Sequence, residues 1–187
     1  IINLHKIDQD KNLNSNFYRR IAYDEIFSHL LVLSENRKRI KKIKKKPKTF
    51  NNKNSDKIIR ALTYNLTNSQ KKVIDEINYD LKSKSKMFRI LQGDVGSGKT
   101  IVSLICASNV IDSGYQCAFM APTEILANQH YILAKKIFKN KINIYLLTGK
   151  TKPQEKRDVL NKLKNNQIDL LFGTHAIFQS KILFKKL

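Results

Sequence analysis

Acidic residues are scarce in this chain. Fifteen Asp and Glu stand against 36 Lys and Arg, for a formal charge of +21 and a pI near 10.0. A surface of that sign argues against cationic substrates and for a polyanionic partner, nucleic acid or an anionic membrane surface. Cysteine is rarer still: Cys106 and Cys117 are the two in the sequence. They are too few for a disulfide framework, which fits a reducing cytosol. Long apolar runs are missing as well, so no segment approaches the roughly 18 residues of a membrane span. The opening Ile-Ile-Asn-Leu-His-Lys has neither the basic nor the apolar region of a cleavable leader, and a secreted fate is not expected.

What is abundant is Lys (29), Ile (23) and Asn (18), together 70 of 187 residues. These are amino acids of A- and T-rich codons, so the distribution of charge is more informative than its sum. With 41% hydrophobic residues the chain can build a core, and its length suits one domain, or one domain with an appendage.

Residues 1–16 are polar, without a sustained period, and read as a tail. From Phe17 a helical pattern begins, with Tyr23, Ile26, Phe27, Leu30 and Leu31 at the spacing of one apolar face. That helix is expected to run on to Lys46, where Pro47 stops it, making 17–46 a basic helical connector. Nine of the twelve residues from Arg37 to Lys48 are basic. Such a run can neutralise several phosphates, or can be a solvated lysine face. Residues 47–60 have linker composition and mark a domain boundary.

Residues 61–187 alternate helices with short apolar strands. Thr67-Asn-Ser-Gln70 reads as a capping box opening a helix that carries Val73, Ile74, Ile77 and Leu81. Strands are expected at Met87–Leu91, Gln116–Ala121, Ile142–Leu147 and Ile168–Phe172. Helices are expected at Lys99–Asp112 (closed by Gly114), at Thr123–Phe138, and after Thr151-Lys-Pro-Gln154, where Pro153 sits in a first turn. This order predicts an α/β fold with a parallel sheet covered on both faces.

Chemistry enters with Gly93-Asp94-Val95-Gly96-Ser97-Gly98-Lys99-Thr100, which fits G-x-x-x-x-G-K-[ST] without a mismatch. Glycines let successive backbone N–H groups face a phosphate. Lys99 can then reach the β- and γ-phosphate oxygens, and the Thr100 hydroxyl can ligate Mg²⁺ carried by ATP. The helix that follows points its positive end at the same anion. Upstream, the Gln70 amide offers a donor and an acceptor together, matching the N6/N7 edge of adenine; it can equally serve as the capping partner of Thr67. The two cysteines read as core fillers.

In order, these motifs resemble those of superfamily 2 helicases, and most closely RecG branch-migration helicases, over roughly residues 60–187. Leu66-Thr67-Asn-Ser-Gln70 is similar to the family's adenine-reading motif, and Leu91–Thr100 to its P-loop. Met120-Ala-Pro-Thr-Glu-Ile-Leu-Ala-Asn-Gln-His130, Leu146-Leu-Thr-Gly149 and Phe172-Gly-Thr-His-Ala-Ile-Phe-Gln179 are similar to the three segments that follow. The resemblance implies a RecA-like P-loop NTPase lobe, with its sheet incomplete, preceded by the basic connector. It implies ATP and Mg²⁺ as cofactors, and branched or forked DNA as partner. It sets Pro122, Thr123, Thr148, Gly149, Thr174 and His175 on loops that face the DNA strand. Such loops follow the carboxyl ends of parallel strands, where hydroxyls and helix N-termini can hold phosphates. For Thr123, local sequence supports a helix N-cap equally well. A bacterial-type cytoplasmic, nucleoid-associated location would follow.

One acidic motif is missing. Helicases of this family carry an Asp-Glu pair that holds Mg²⁺ and polarises the attacking water. Here Asp-Glu occurs at 24–25 and 75–76, both upstream of the P-loop, and residues 87–187 contain six acids. The expectation is a partial first motor lobe that binds ATP without turning it over or unwinding DNA, and that could assemble with the remaining helicase portion. Three alternatives stand beside it. One is a motor like that of the transcription-repair coupling factor. Another is a passive nucleic-acid-binding remnant with a vestigial P-loop. The third, a nucleotide kinase, lacks an identifiable acceptor site.

Overall fold

The computed structural model describes residues 16–139, 141–178 and 182–187; the expected tail, apart from Asn16, lies outside them, as does Gln179. Contacts divide the chain into two compact units, one formed by the N-terminal segment to Lys45 with Lys84–Arg89, the other by Lys46–Ser83 with Ile90–Leu187.

In the first unit, helix α1 (Asn16–Lys42) has the expected apolar residues Tyr23, Ile26, Phe27, Leu30 and Leu31 on its surface, all exposed. Tyr23 and Phe27, one turn apart, stack at 5.9 Å. The helix stops four residues short of the expected Lys46. Lys45 N–H donates to Lys84 O and Lys86 N–H to Ile43 O, so the end of the basic run pairs antiparallel with 84–86 instead of winding on. Backbone pairing here outweighs the helical period of the lysines.

In the second unit, the stretch expected as a linker is a built element. Helix α2 (Lys53–Arg60) starts at Asn52 and buries Ser55 and Ile58. Lys48 N–H donates to Leu81 O, and Asn54 Nδ2 donates to Asp112 Oδ1 at 2.6 Å. Polar composition concealed a helix whose core contact rests on Ile58, with Ile59 packed beside it. Helix α3 (Asn68–Lys82) begins with the capping box as expected: Thr67 Oγ1 accepts from Gln70 N–H, and Gln70 Oε1 accepts from Thr67 N–H. Helix α4 (Lys99–Asp112) is closed by Gly114 at φ +76°. Strand β1 (Cys117–Met120), helix α5 (Glu124–Phe138), strand β2 (Ile144–Leu147), helix α6 (Pro153–Lys164) and strand β3 (Leu170–Gly173) follow.

The sheet is parallel, in the order β1-β3-β2. Strand β3 is central and wholly buried. Leu170 and Phe172 point into a core with Ile101, Leu104 and Ile105 of α4, Ala134 and Phe138 of α5, and Ile58 and Ile74. Leu171 points the other way, toward Val159 and Leu163 of α6 and Ile177. Covering both faces is why β3 reads as an unbroken apolar run, Leu-Leu-Phe-Gly. The expected first strand, Met87–Leu91, is not a member of the sheet. A strand exists through its ladder partners, and none of the described strands takes up 87–91. Phe88 and Ile90 are accordingly 75% and 82% exposed.

Candidate functional site

The P-loop lies between Leu91 and α4. Within it Lys99 folds back over its own backbone: Nζ donates to Gly93 O at 2.9 Å and to Asp94 O at 2.6 Å, with Ser97 Oγ at 3.4 Å. Carbonyl oxygens here fill the place on the ammonium that phosphate oxygens would take. Ser97 N–H closes the turn onto Asp94 O, and Val95 stands fully exposed at the tip. Gly96 and Gly98 have φ of +83° and +81°. At Gly98 the requirement is double, since a Cβ would also come 2.5 Å from Gln70 Nε2. Thr100 is the second residue of α4 and half-buried, at the helix end that favours an anion.

Gln70 is committed on both sides. Its Oε1 holds Thr67 N–H, and its Nε2 donates to Ser97 O at 2.9 Å. The amide therefore ties the start of α3 to the P-loop. One lone pair on Oε1 and one N–H remain for a base edge.

Three further loops leave the carboxyl ends of the three strands. After β1, Ala121 N–H donates to Gly173 O, and Pro122 and Thr123 are exposed. Thr123 is the N-cap of α5, its Oγ1 accepting from Leu126 N–H at 3.3 Å, so the capping alternative is met. After β2, Thr148 N–H donates to Thr151 Oγ1 at 3.0 Å, and Thr148 Oγ1 accepts from Lys150 N–H at 3.3 Å, with Gly149 exposed at the turn. After β3, Thr174 is half-buried and leads into a 3₁₀ turn (His175–Phe178) with His175 exposed. Because α4 returns to β1 through a four-residue connection, Ser113–Gln116, its amino end lies toward the carboxyl ends of the strands. The parallel topology thus gathers the P-loop, 122–123, 148–149 and 174–175 toward one rim.

Two residues matter here that sequence reasoning did not single out. Gly173 admits no side chain, since a Cβ would overlap Leu147 O and press on Ile177. Glu124 reaches from α5 to the turn after β2, its Oε1 accepting from Lys150 N–H at 3.2 Å. The signal for Gly173 was a glycine ending an apolar strand; Glu124 carried none beyond its place after Thr123. Cys106 is a core residue as expected, Cys117 is half-buried against the same core, and burial pushes each thiol up to about 12.

Comparison with known proteins agrees with this fold. Residues 67–187 match the DEAD/DEAH box helicase family. The ATP-dependent DNA helicase RecG of Aquifex aeolicus is 43% identical over 172 residues, covering 91% of this chain and 22% of that protein. RecG of Thermotoga maritima is 43% identical over 169 residues, again across 22% of its length. Among solved structures, RecG bound to a three-way DNA junction matches with a TM-score of 0.82 and 42% identity, covering 90% of this chain and 23% of that one. The chain thus spans less than a quarter of the length of these RecG relatives. It belongs to the DEAD/DEAH box helicase family, and its homology within that family is to the RecG helicases.

Proposed function

We propose that this chain is the ATP-binding portion of a RecG-like helicase acting on branched DNA in recombination and repair. The observation that carries the reading is the gathering of a complete P-loop and three polar strand-end loops toward one rim of a parallel sheet. ATP would sit with its phosphates on the backbone of Gly93–Gly98 and on Lys99, its Mg²⁺ beside Thr100, and its adenine edge toward Gln70. The free valences on Gln70 and the carbonyl-bound ammonium of Lys99 support that fit. Pro122, Thr123, Thr148, Gly149, Thr174 and His175 would hold the phosphates of a DNA strand without reading its bases. The basic run 37–48 adds a sequence-independent, salt-sensitive contribution. A bacterial cytoplasmic location beside the nucleoid suits that partner.

Turnover by this chain alone is expected to be negligible, because Asp-Glu pairs occur only at 24–25 and 75–76, ahead of the P-loop. Hydrolysis and unwinding would require a carboxylate pair supplied from elsewhere, as by the remaining helicase portion. Two measurements test this. A fluorescent ATP analogue should bind in a Mg²⁺-dependent way that Lys99→Ala abolishes; absence of binding at high micromolar nucleotide would favour a passive nucleic-acid binder. Phosphate release with forked DNA should stay at background, and robust turnover removed by Lys99→Ala would overturn the inactivity.

A further inference from the structure

Glu124 is the acidic group that the nucleotide and DNA readings leave unused, and it stands on the rim where phosphates are expected. It is the first residue of α5, next to Thr123. Its Oε1 accepts from Lys150 N–H at 3.2 Å, and its Oε2 lies 3.5 Å from Lys150 Nζ. A Cβ on Gly149 would come within 3.3 Å of the same Oε1, so the turn after β2 lies directly against the carboxylate. Strands β1 and β2 are not neighbours, because β3 runs between them. One side chain therefore bridges the loops of two strands that share no ladder.

The two halves of this contact differ in weight. The Lys150 side chain is 89% exposed and Glu124 32%, so the ion pair is solvent-screened and contributes little. The bond from a backbone N–H to the more sheltered carboxylate is charge-assisted and directional, and it fixes where the turn sits. A carboxylate at a phosphate-binding rim is also a cost, since it repels the ligand. Its presence makes sense where an acceptor at that point is worth more than the repulsion.

We infer that Glu124 is a positioning residue for DNA binding, clamping the Thr148–Lys150 turn to the Pro122–Thr123 loop so that both engage one strand together. This rests on the assignment of those loops to the DNA strand. The clamp requires an acceptor at Glu124, not a charge, which separates two substitutions. Glu124→Ala removes the acceptor; Glu124→Gln keeps it and deletes the repulsion.

The test uses the full chain, a fluorescein-labelled single-stranded oligonucleotide, anisotropy at two salt concentrations, and hydrogen exchange at the Lys150 amide. Glu124→Ala should weaken binding about fivefold, the scale of one typical lost hydrogen bond, and should speed exchange of the Lys150 amide, which then keeps only Thr148 Oγ1 as acceptor. Glu124→Gln should restore protection and bring affinity within about twofold of the parent, with the salt slope unchanged because no phosphate contact is lost. Tighter binding by both variants with a steeper slope would overturn the inference, making Glu124 a shield over Lys150. So would unaltered affinity and protection in Glu124→Ala. If Lys150 protection responds to Glu124 but neither Thr123→Ala nor Thr148→Ala changes affinity, the fault lies in the assignment of the loops, and the clamp loses its function with it.

Discussion

At the amino ends of the strands, Gln116 is 3% exposed and spends its whole amide on the fold. Its Nε2 donates to Leu163 O and Ile168 O, its Oε1 accepts from Lys185 and Lys186 N–H, and its own backbone N–H donates to Lys186 O. At the carboxyl ends, Thr123, Gly149 and His175 are exposed, and the bonds holding their loops are few and mostly local, with Glu124 to Lys150 reaching further. A buried amide with every valence satisfied locks three segments at one end, whereas the other end keeps hydroxyls and a helix terminus at the surface. Bonding is densest away from the proposed ligand rim, which is left more adjustable.

Breaking the closed end should have the largest effect. Gln116→Ala strips partners from two buried carbonyls and two backbone N–H groups, and should cost about 3 kcal/mol in denaturant unfolding. Nucleotide binding by the remaining folded protein should persist. At the open end the signs reverse: Lys99→Ala should lower affinity for an ATP analogue at least about tenfold while leaving the unfolding midpoint nearly unmoved. Were Lys99→Ala to destabilise as much as Gln116→Ala, the contrast between the ends would collapse. Thr67→Ala sits between these cases. It removes a helix cap worth about 1 kcal/mol by taking away the acceptor for Gln70 N–H, while the Gln70 side chain keeps Thr67 N–H and Ser97 O, so stability should fall with nucleotide affinity little changed.

The smallest effect concerns the interior shared by both ends. Burial raises the Cys106 and Cys117 thiols from 9.0 to about 12. The folded state therefore keeps protons that the unfolded chain releases first. The resulting stability is whole below pH 9 and is lost as pH climbs toward 12. Folded protein should accordingly resist a thiol reagent at pH 8 and react only after denaturant is added.

Much of the second unit was legible because its signals are local. Thr67 with Gln70, Gly114, Pro153 and the P-loop each declare themselves within a few residues. Three things were not. Helix α2 hid in polar composition because Ile58 and Ile59 are the two apolar residues among its eight. Residues 87–91 have strand composition, but pairing depends on neighbours that local sequence does not name. The Glu124–Lys150 contact joins positions 26 apart, and Gln116 meets Lys185 and Lys186 across 69 and 70 residues. No periodicity encodes such pairs. The proposed site residues were read from motif order, while the side chains that hold their loops in place required the fold.

The bond from Gln116 N–H to Lys186 O bears on how the protein behaves in a tube. It lies on the side of β1 away from β3, since Cys117 and Ala121 send their N–H groups to Asp169 O and Gly173 O. Among the described residues no strand lies along that side, so past this first rung β1 offers a short open edge, with Met120 43% exposed. Open edges are templates for the strands of other copies. The +21 charge holds copies apart, and salt screens it over a distance of about 8 Å at physiological strength. Concentrated salt, the usual remedy for sticky nucleic-acid-binding proteins, would here remove the repulsion that keeps the chain in solution.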